Sequence, residues 1–311
     1  MSGSVGLKVF APATVANLAV GYDILGLAID GIGDDVIVRK GSQNGLRINK
    51  IIKNKGLSLD IQKNTAGFAA QQLLKSLNLE NEPIEIDLIK NMKIGTGLGS
   101  SAASAVAGVF AVNEFLGKPY SKPELLRFAT EGEQIADGSF HADNVAPSLL
   151  GGIILLTDAE KLEFVKLPAP PGIKVVIIHP HIEILTRDSR SILSDDVSLN
   201  NHIKQSANLA GFISALYRTD LELLKRSLDD IIIEPQRAGL IPYFSEIKHL
   251  ALNEGVLGFS ISGAGPSMFA LCSNSVIAEN TVDKIRSFLK DNNVESDFYI
   301  SNINHEGAKR Y

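Results

Sequence analysis

Apolar and polar residues alternate through the first third of the chain. LKVFAPA (7–13), DDVIVRK (34–40) and GLRINKI (45–51) are short, β-rich and separated by Gly, Asp and Asn, which predicts strands. NTAGFAAQQLLKSL (64–77) changes to helical spacing. PIEIDLIKN (83–91) alternates again, with Ile84, Ile86 and Leu88 on one face and Glu85 and Asp87 on the other. That predicts a half-exposed strand running into a glycine-rich loop. A helix rich in alanine follows over 100–116, closed by Gly117 with Pro119 beyond. The next helix, SKPELLRFATEGEQIA (121–136), starts on a capping box of Ser121 and Glu124 with Pro123 in its first turn.

LPAPPG (167–172) is the most proline-dense stretch and the natural boundary, dividing the chain into domains of 1–167 and 168–311. Beyond it, IKVVIIHP (173–180) predicts a strand, 198–217 and 220–230 helices, and PYFSEIKHLALNEG (242–255) a helix closed by Gly255. GVLGFSIS and SMFALCS predict paired strands, 277–291 a helix and ESDFYIS (295–301) a last strand. This succession resembles the split β-α-β, ferredoxin-like plan. The expected class is α+β, a mixed N-terminal domain followed by a ferredoxin-like one. Neither internal repeats nor low-complexity segments are present.

Composition narrows the function. With 45% hydrophobic and 21% charged residues, the chain has the balance of a soluble globular protein. A net charge of −5 argues against a nucleic-acid or anionic-membrane binder, since either needs a basic face. Any anionic ligand must then be held by local groups. The single cysteine, Cys272, reads as a buried reduced thiol. The opening MSGSVGLKVF shows no signal-peptide pattern, and the apolar run near 102–112 is too short to span a bilayer. A cytoplasmic protein is expected.

Candidate chemistry concentrates in IGTGLGSSAAS (94–104). Gly95, Gly97 and Gly99 alternate, which implies a repeatedly bent backbone with something too close to tolerate a Cβ. A glycine-rich turn feeding a helix presents unpaired N–H groups and the positive end of the helix dipole, a nest for phosphate. The plainer reading is a tight turn capped by serine. Three glycines followed by Ser100, Ser101, Ala102 and Ala103 favour phosphate. The loop is neither GxxxxGK[ST] nor GxGxxG.

This loop resembles the central motif of the GHMP kinases. APATVANLAVGYDILGLAI (11–29) resembles that family's first motif, and SISGAGPSMFAL (260–271) its third, a glycine turn packing beside the phosphate loop. HADNVAPSLLGG (141–152), TRDSRSIL (186–193) and EPQRAGLIP (234–242) extend the likeness in order from residue 8 to about 272, and in detail it is to the branch acting on L-homoserine. The family usually has proline where Lys93 stands, a departure that bears on the loop's geometry and could bring positive charge to the phosphates.

The resemblance implies phosphoryl transfer from ATP to the side-chain hydroxyl of L-homoserine, a step toward threonine, with Mg²⁺ bridging phosphate oxygens. It assigns ATP to Lys93, Gly95, Thr96, Gly97, Leu98, Gly99, Ser100, Ser101, Gly263 and Gly265, with Asn64 a weaker contact. Ser101 and Glu133 become the metal ligands, while Glu131 reads as solvated. Asn144 stands where mevalonate kinase-like members carry an aspartate, and an amide takes no proton at neutral pH. It would orient the hydroxyl, in the branch working without a protein base. His141 lines the substrate pocket, and His202, His249 and His305 read as surface residues. Asp23 with Asn17 resembles the amine-binding pair, Arg190 with Arg237 a carboxylate clamp. Outside the motifs Asp23 would read as a turn residue and the arginines as solvated. Thr186 reads first as a helix N-cap, then as a pocket residue. Rival readings are another small-molecule kinase of the family, mevalonate-type, or a non-catalytic ligand sensor. Related kinases are commonly dimers, which leaves a homodimer open.

Overall fold

The computed structural model describes residues 6–53, 56–138 and 141–311; of the opening stretch, residues 1–5 lie outside it. Strand β1 (Leu7–Ala16) pairs antiparallel with β2 (Leu25–Lys40), with a register shift between Pro12 and Thr14. The pattern predicts β2 only from Asp34, but it begins at Leu25 and runs through Gly31 and Gly33. At Gly33 a side chain would strike the Ala11 carbonyl and the Phe10 ring, so this glycine allows close strand approach, whereas Gly31 stands in open space at φ +78°. β3 (Leu46–Ile52) leads through α1 (Thr65–Ser76) to the parallel β4 (Ile84–Ile89).

Ile84, Ile86 and Leu88 of β4 are buried as predicted. The opposite face is not simply exposed. Asp87 is buried there, accepting hydrogen bonds from the Arg39 guanidinium (2.8 and 3.0 Å) and Asn49 (2.8 Å). Helices α2 (Ser100–Phe115), α3 (Lys122–Asp137) and α4 (Ala142–Leu150) follow. Gly108 of α2 abuts the Ala66 backbone of α1, a close approach that any side chain would block. The periodicity did not predict α4, which carries Pro147 inside it. β5 (Ile153–Asp158) pairs with β2, and β6 (Glu163–Leu167) pairs with β5.

A second sheet starts with β7 (Lys174–Pro180). After it come α5 (Thr186–Ser191), α6 (Leu199–Arg218), α7 (Leu221–Ser227), α8 (Glu234–Arg237) and α9 (Phe244–Asn253). β8 (Gly258–Ile261), β9 (Met268–Cys272), α10 (Ser275–Asp291) and β10 (Ser296–Asn302) complete it. The order β10-β7-β9-β8, with every neighbour antiparallel, is the split β-α-β arrangement. β7 is buried on both faces: Val175 and Ile177 join the main core with Phe212 and Leu216 of α6, while Val176 and Ile178 join a smaller core under α9 and α10.

β10 is not the last strand. β11 (Lys309–Arg310) returns to pair with β1, so the tail after Asn302 joins the first sheet although the 167/168 division assigns it to the second domain. Cys272 is buried and free, and burial pushes its thiol up to about 12. Among the described residues no helix is long and apolar enough to cross a membrane.

Candidate active site

A cavity of about 660 Å³ opens where the start of α2, the start of α4, the β1–β2 connection, α5 and the β8–β9 turn converge. The glycine loop forms one end. Gly95, Gly97 and Gly99 have φ of +71°, +74° and +63°, the left-handed region that glycine enters without strain. A Cβ on Gly97 would lie 2.6 Å from the Ser262 carbonyl and 2.7 Å from that of Gly265. One on Gly99 would strike the Thr14 hydroxyl and Asn144 Oδ1. Around Gly95 only the Glu183 side chain comes near, at 3.7 Å. At Gly97 and Gly99, what lies too close to tolerate a Cβ is the protein itself.

Four successive loop carbonyls are taken by protein donors. Ser267 N–H donates to Thr96 (3.2 Å), the Ser262 hydroxyl to Gly97 (2.7 Å), Thr14 N–H to Leu98 (3.1 Å) and Ala103 N–H to Gly99 (2.9 Å). This directs the loop's acceptors into the protein and leaves the positive end of α2 toward the cavity. Ser100 Oγ lines the cavity, buried and without a hydrogen-bond partner among the described residues. An orphaned hydroxyl at a helix start fits a phosphate oxygen.

Ser101 Oγ donates to Glu133 Oε1 at 2.7 Å, joining α2 to α3 at the cavity wall. Among the described residues no group of three or more His, Cys, Asp or Glu is arranged for a metal. One hydroxyl and one carboxylate still suit Mg²⁺, which keeps several waters and takes further oxygens from phosphates. Lys90 also lines this end, 3% exposed, its ammonium held by Asp34 and the Ser100 carbonyl. Burial drives its pKa below the ordinary lysine value, against the pull of Asp34. The sequence reading missed Lys90 because a lysine at a strand end resembles a solvated one.

Charged side chains make the other end. Arg190 of α5 holds Asp23 through two parallel hydrogen bonds, 3.0 and 2.7 Å. Burial opposes the Arg190 charge, but its bonds to Asp23 outweigh that and raise its pKa. Arg237 is buried; its guanidinium donates to the Ser189 carbonyl (3.1 Å), the Gly263 carbonyl (3.0 Å) and the Tyr22 hydroxyl (3.3 Å). Burial lowers its pKa. The Tyr22 ring lies against both guanidinium groups, 5.6 and 5.1 Å from its centroid. Asp143, also missed from sequence, is buried on the cavity wall. Burial, then the Asp23 charge, raises its carboxyl to about 6, opposed by His141 and Arg190. Its place between two singled-out residues, His141 and Asn144, was the available signal.

Most expected residues meet in this cavity: Asn17, Asp23, Asn64, Gly95, Thr96, Gly97, Gly99, Ser100, Ser101, Glu133, His141, Asn144, Thr186, Arg190, Arg237 and Gly263 line it. Several are engaged otherwise. Asn17 accepts from Asp23 N–H (3.1 Å) and donates to the Gly263 carbonyl (3.1 Å), tying two motifs together. Asn64 caps α1, accepting from Ala66 and Gly67 N–H. Asn144 Oδ1 accepts from the Thr14 hydroxyl at 2.7 Å. His141 Nδ1 lies 3.4 Å from Arg190.

Three expected residues do not line the cavity. Lys93 is on the surface, outside the cavity lining, paired with Asp297 at 3.4 Å, because its long exposed side chain reaches β10 instead of the phosphates. Leu98 is core, offering the loop only backbone. Gly265 packs behind Gly97, away from the cavity wall. Thr186 is the first residue of α5, and the N-cap is Leu185. His202, His249 and His305 are exposed as expected.

The family model of the GHMP kinases N terminal domain matches residues 64–152, and that of the GHMP kinases C terminal matches 212–291. The chain is 41% identical over 312 residues to a homoserine kinase of Chloroherpeton thalassium, covering 96% of this chain and 98% of that protein. It is 37% identical to one of Xanthomonas campestris, covering 97% and 93%. The crystal structure of homoserine kinase from Cytophaga hutchinsonii superposes with a TM-score of 0.96 at 44% identity, covering 100% and 99%. A mevalonate kinase structure at 17% identity and TM-score 0.74, covering 96% and 99%, shares the fold.

Proposed function

The chain belongs to the GHMP kinase family, and from that premise we propose that it phosphorylates the side-chain hydroxyl of L-homoserine with ATP, giving O-phospho-L-homoserine and ADP on the route to threonine. The observation that carries this reading is the pairing of charges at one end of the cavity. Asp23 and Asp143 answer an ammonium, Arg190 and Arg237 a carboxylate, and the glycine loop lies opposite. An α-amino acid with a terminal hydroxyl satisfies both signs. Homoserine kinases among the relatives support the same substrate.

The Asp23–Arg190 pair is closed on itself here. A zwitterion exchanges it without leaving a charge unpaired: its ammonium replaces the guanidinium on Asp23, and its carboxylate replaces Asp23 on Arg190. At the other end, the α2 N-terminus and the Ser100 hydroxyl receive phosphate oxygens, and Ser101 with Glu133 would hold Mg²⁺. The metal supplies neutralisation of phosphate charge when bound. Asn144, fixed by Thr14, orients the attacking hydroxyl but accepts no proton. In a loose transition state that proton can leave late. Domains divided at 167/168, with the tail after Asn302 returning to the first, a cytoplasmic location and a homodimer belong to the same proposal.

The test is ADP release over a panel of L-homoserine, mevalonate, galactose and shikimate. Turnover with L-homoserine far above the others is expected. Preference for mevalonate would replace the substrate, and nucleotide binding without turnover on any would favour a sensor.

A further inference from the structure

Beneath the glycine loop lies a buried ion pair whose contacts reach both ends of the loop. Lys90 is 3% exposed and Asp34 0%. Asp34 Oδ1 accepts from the backbone N–H groups of Asn91 (2.9 Å) and Met92 (3.1 Å), where the chain leaves β4. Its Oδ2 accepts from the Lys90 ammonium and from the Ser104 hydroxyl (2.8 Å). Lys90 Nζ also donates to the Ser100 carbonyl (2.5 Å) and to Ser104 Oγ (2.9 Å). Three ammonium protons thus have three protein partners, which leaves none for a phosphate in this arrangement.

The pair fixes residues 91–92 and the first turn of α2 relative to each other, and the glycines span the interval. Ser101, which meets Glu133, directly follows the tethered Ser100 carbonyl. A second pair, with Asp87 buried and Arg39 half-buried, offers contrast. Arg39 of β2 and Asp87 of β4 join neighbouring strands of the same sheet, but neither lines the cavity.

We propose that Lys90 and Asp34 are positioning residues for phosphoryl transfer, holding both ends of the glycine loop so that Ser100, Ser101 and Glu133 meet the nucleotide phosphates in register. The kinetic part of this inference rests on the homoserine kinase reading; the nucleotide-binding part does not.

Lys90→Met alone would strand the Asp34 carboxylate, so the informative variant is Lys90→Met with Asp34→Asn, which removes both charges and keeps an oxygen for the Asn91 and Met92 amides. The measurements are ADP affinity by calorimetry, kinetic constants for ATP and L-homoserine, and melting temperature. We expect kcat/KM for ATP to fall about tenfold or more and the Kd for ADP to rise, with KM for L-homoserine within about twofold, since small misplacements of reacting groups are costly. Arg39→Met with Asp87→Asn should melt early too, while ADP affinity and kcat/KM for ATP stay within about twofold. Ser104→Ala removes the shared hydroxyl without touching charge, and should weaken ADP binding and speed amide exchange across 91–101. Normal ADP affinity in a folded double variant, or in Ser104→Ala should the double variant not fold, overturns the proposal. So do equal losses in the Arg39 and Asp87 variant. A parent that binds ADP but leaves L-homoserine untouched refutes the substrate reading, and the ADP measurements then still decide this one.

Discussion

At the phosphate end of the cavity the backbone does the holding, whereas at the acceptor end charged side chains hold one another. The glycine loop carries no charge of its own. Its carbonyls are anchored by Ser267, Ser262, Thr14 and Ala103; Gly97 is hemmed in by the β8–β9 turn and Gly99 by Thr14 and Asn144. The acceptor end has Asp23 and Arg190 locked in an ion pair across two motifs, beside a buried Arg237 and Asp143. Phosphate chemistry is common to all ATP users, so a preformed nest costs no selectivity. Choosing an acceptor needs discrimination, which the proposed exchange of the Asp23–Arg190 pair for a ligand bearing both charges would provide.

The largest expected effect breaks the phosphate end. Glu133→Gln should lower kcat on the order of 10³-fold, the scale of several kcal/mol of lost charge stabilisation. Glu131→Gln, two residues away and outside the cavity, is the control. A healthy Glu133→Gln beside a crippled Glu131→Gln would put the metal on another helical face.

Next come the two arginines. Truncating one partner of a buried charged pair costs ~2–5 kcal/mol, or roughly 30- to 4,000-fold in kcat/KM. Arg190→Leu should lose that much for L-homoserine while KM for ATP holds. Arg237→Leu should lose as much and also disturb ATP, because Arg237 grips the Gly263 carbonyl behind the loop. Identical ATP constants in both variants would mean that the two ends are independent.

The same contrast explains what the sequence disclosed. Motifs made of backbone requirements are legible: alternating glycines announced the loop, and Ile84, Ile86 and Leu88 announced the strand feeding it. The second sheet followed from regular periodicity. What escaped was polar and buried. Asp34 opened a predicted strand and Lys90 stood near the end of another, and nothing in either position announces a partner 56 residues away in sequence. Asp143 hid inside α4, a helix whose Pro147 breaks the usual signature. Lys93 misled in the other direction: its position in the loop suggested phosphate, but its partner is Asp297 on the other sheet.

A smaller effect separates the glycines. Gly97→Ala should cost about 2 kcal/mol, lowering the melting temperature by several degrees, since its Cβ meets two carbonyls as well as an unfavourable φ. Gly95→Ala, in open space, should cost about half as much. Equal melting temperatures would mean that the β8–β9 turn yields freely.

The smallest effect is a pH dependence. The Asp143 carboxyl lies at about 6 in the folded protein against 3.8 in an ordinary aspartate. The folded state therefore holds that proton more tightly than the unfolded chain. The resulting stabilisation is full below about pH 4 and disappears as pH rises through 6, with a ceiling of about 3 kcal/mol. Asp143→Asn, which cannot ionise, should gain stability relative to the parent between pH 4 and 7 while raising KM for L-homoserine. A stability difference flat across that range would mean an ordinary carboxylate.

The central claim, that the acceptor end recognises a zwitterion by exchanging its own ion pair, is tested most directly by Asp23→Asn on two substrates. L-Homoserine and 4-hydroxybutyrate differ only by the amine. The variant should lose roughly 30-fold or more in kcat/KM on L-homoserine. On 4-hydroxybutyrate it should hold steady or improve, because Arg190 is released to meet the carboxylate. Equal losses on both substrates would contradict the account and leave Asp23 as a brace for Arg190.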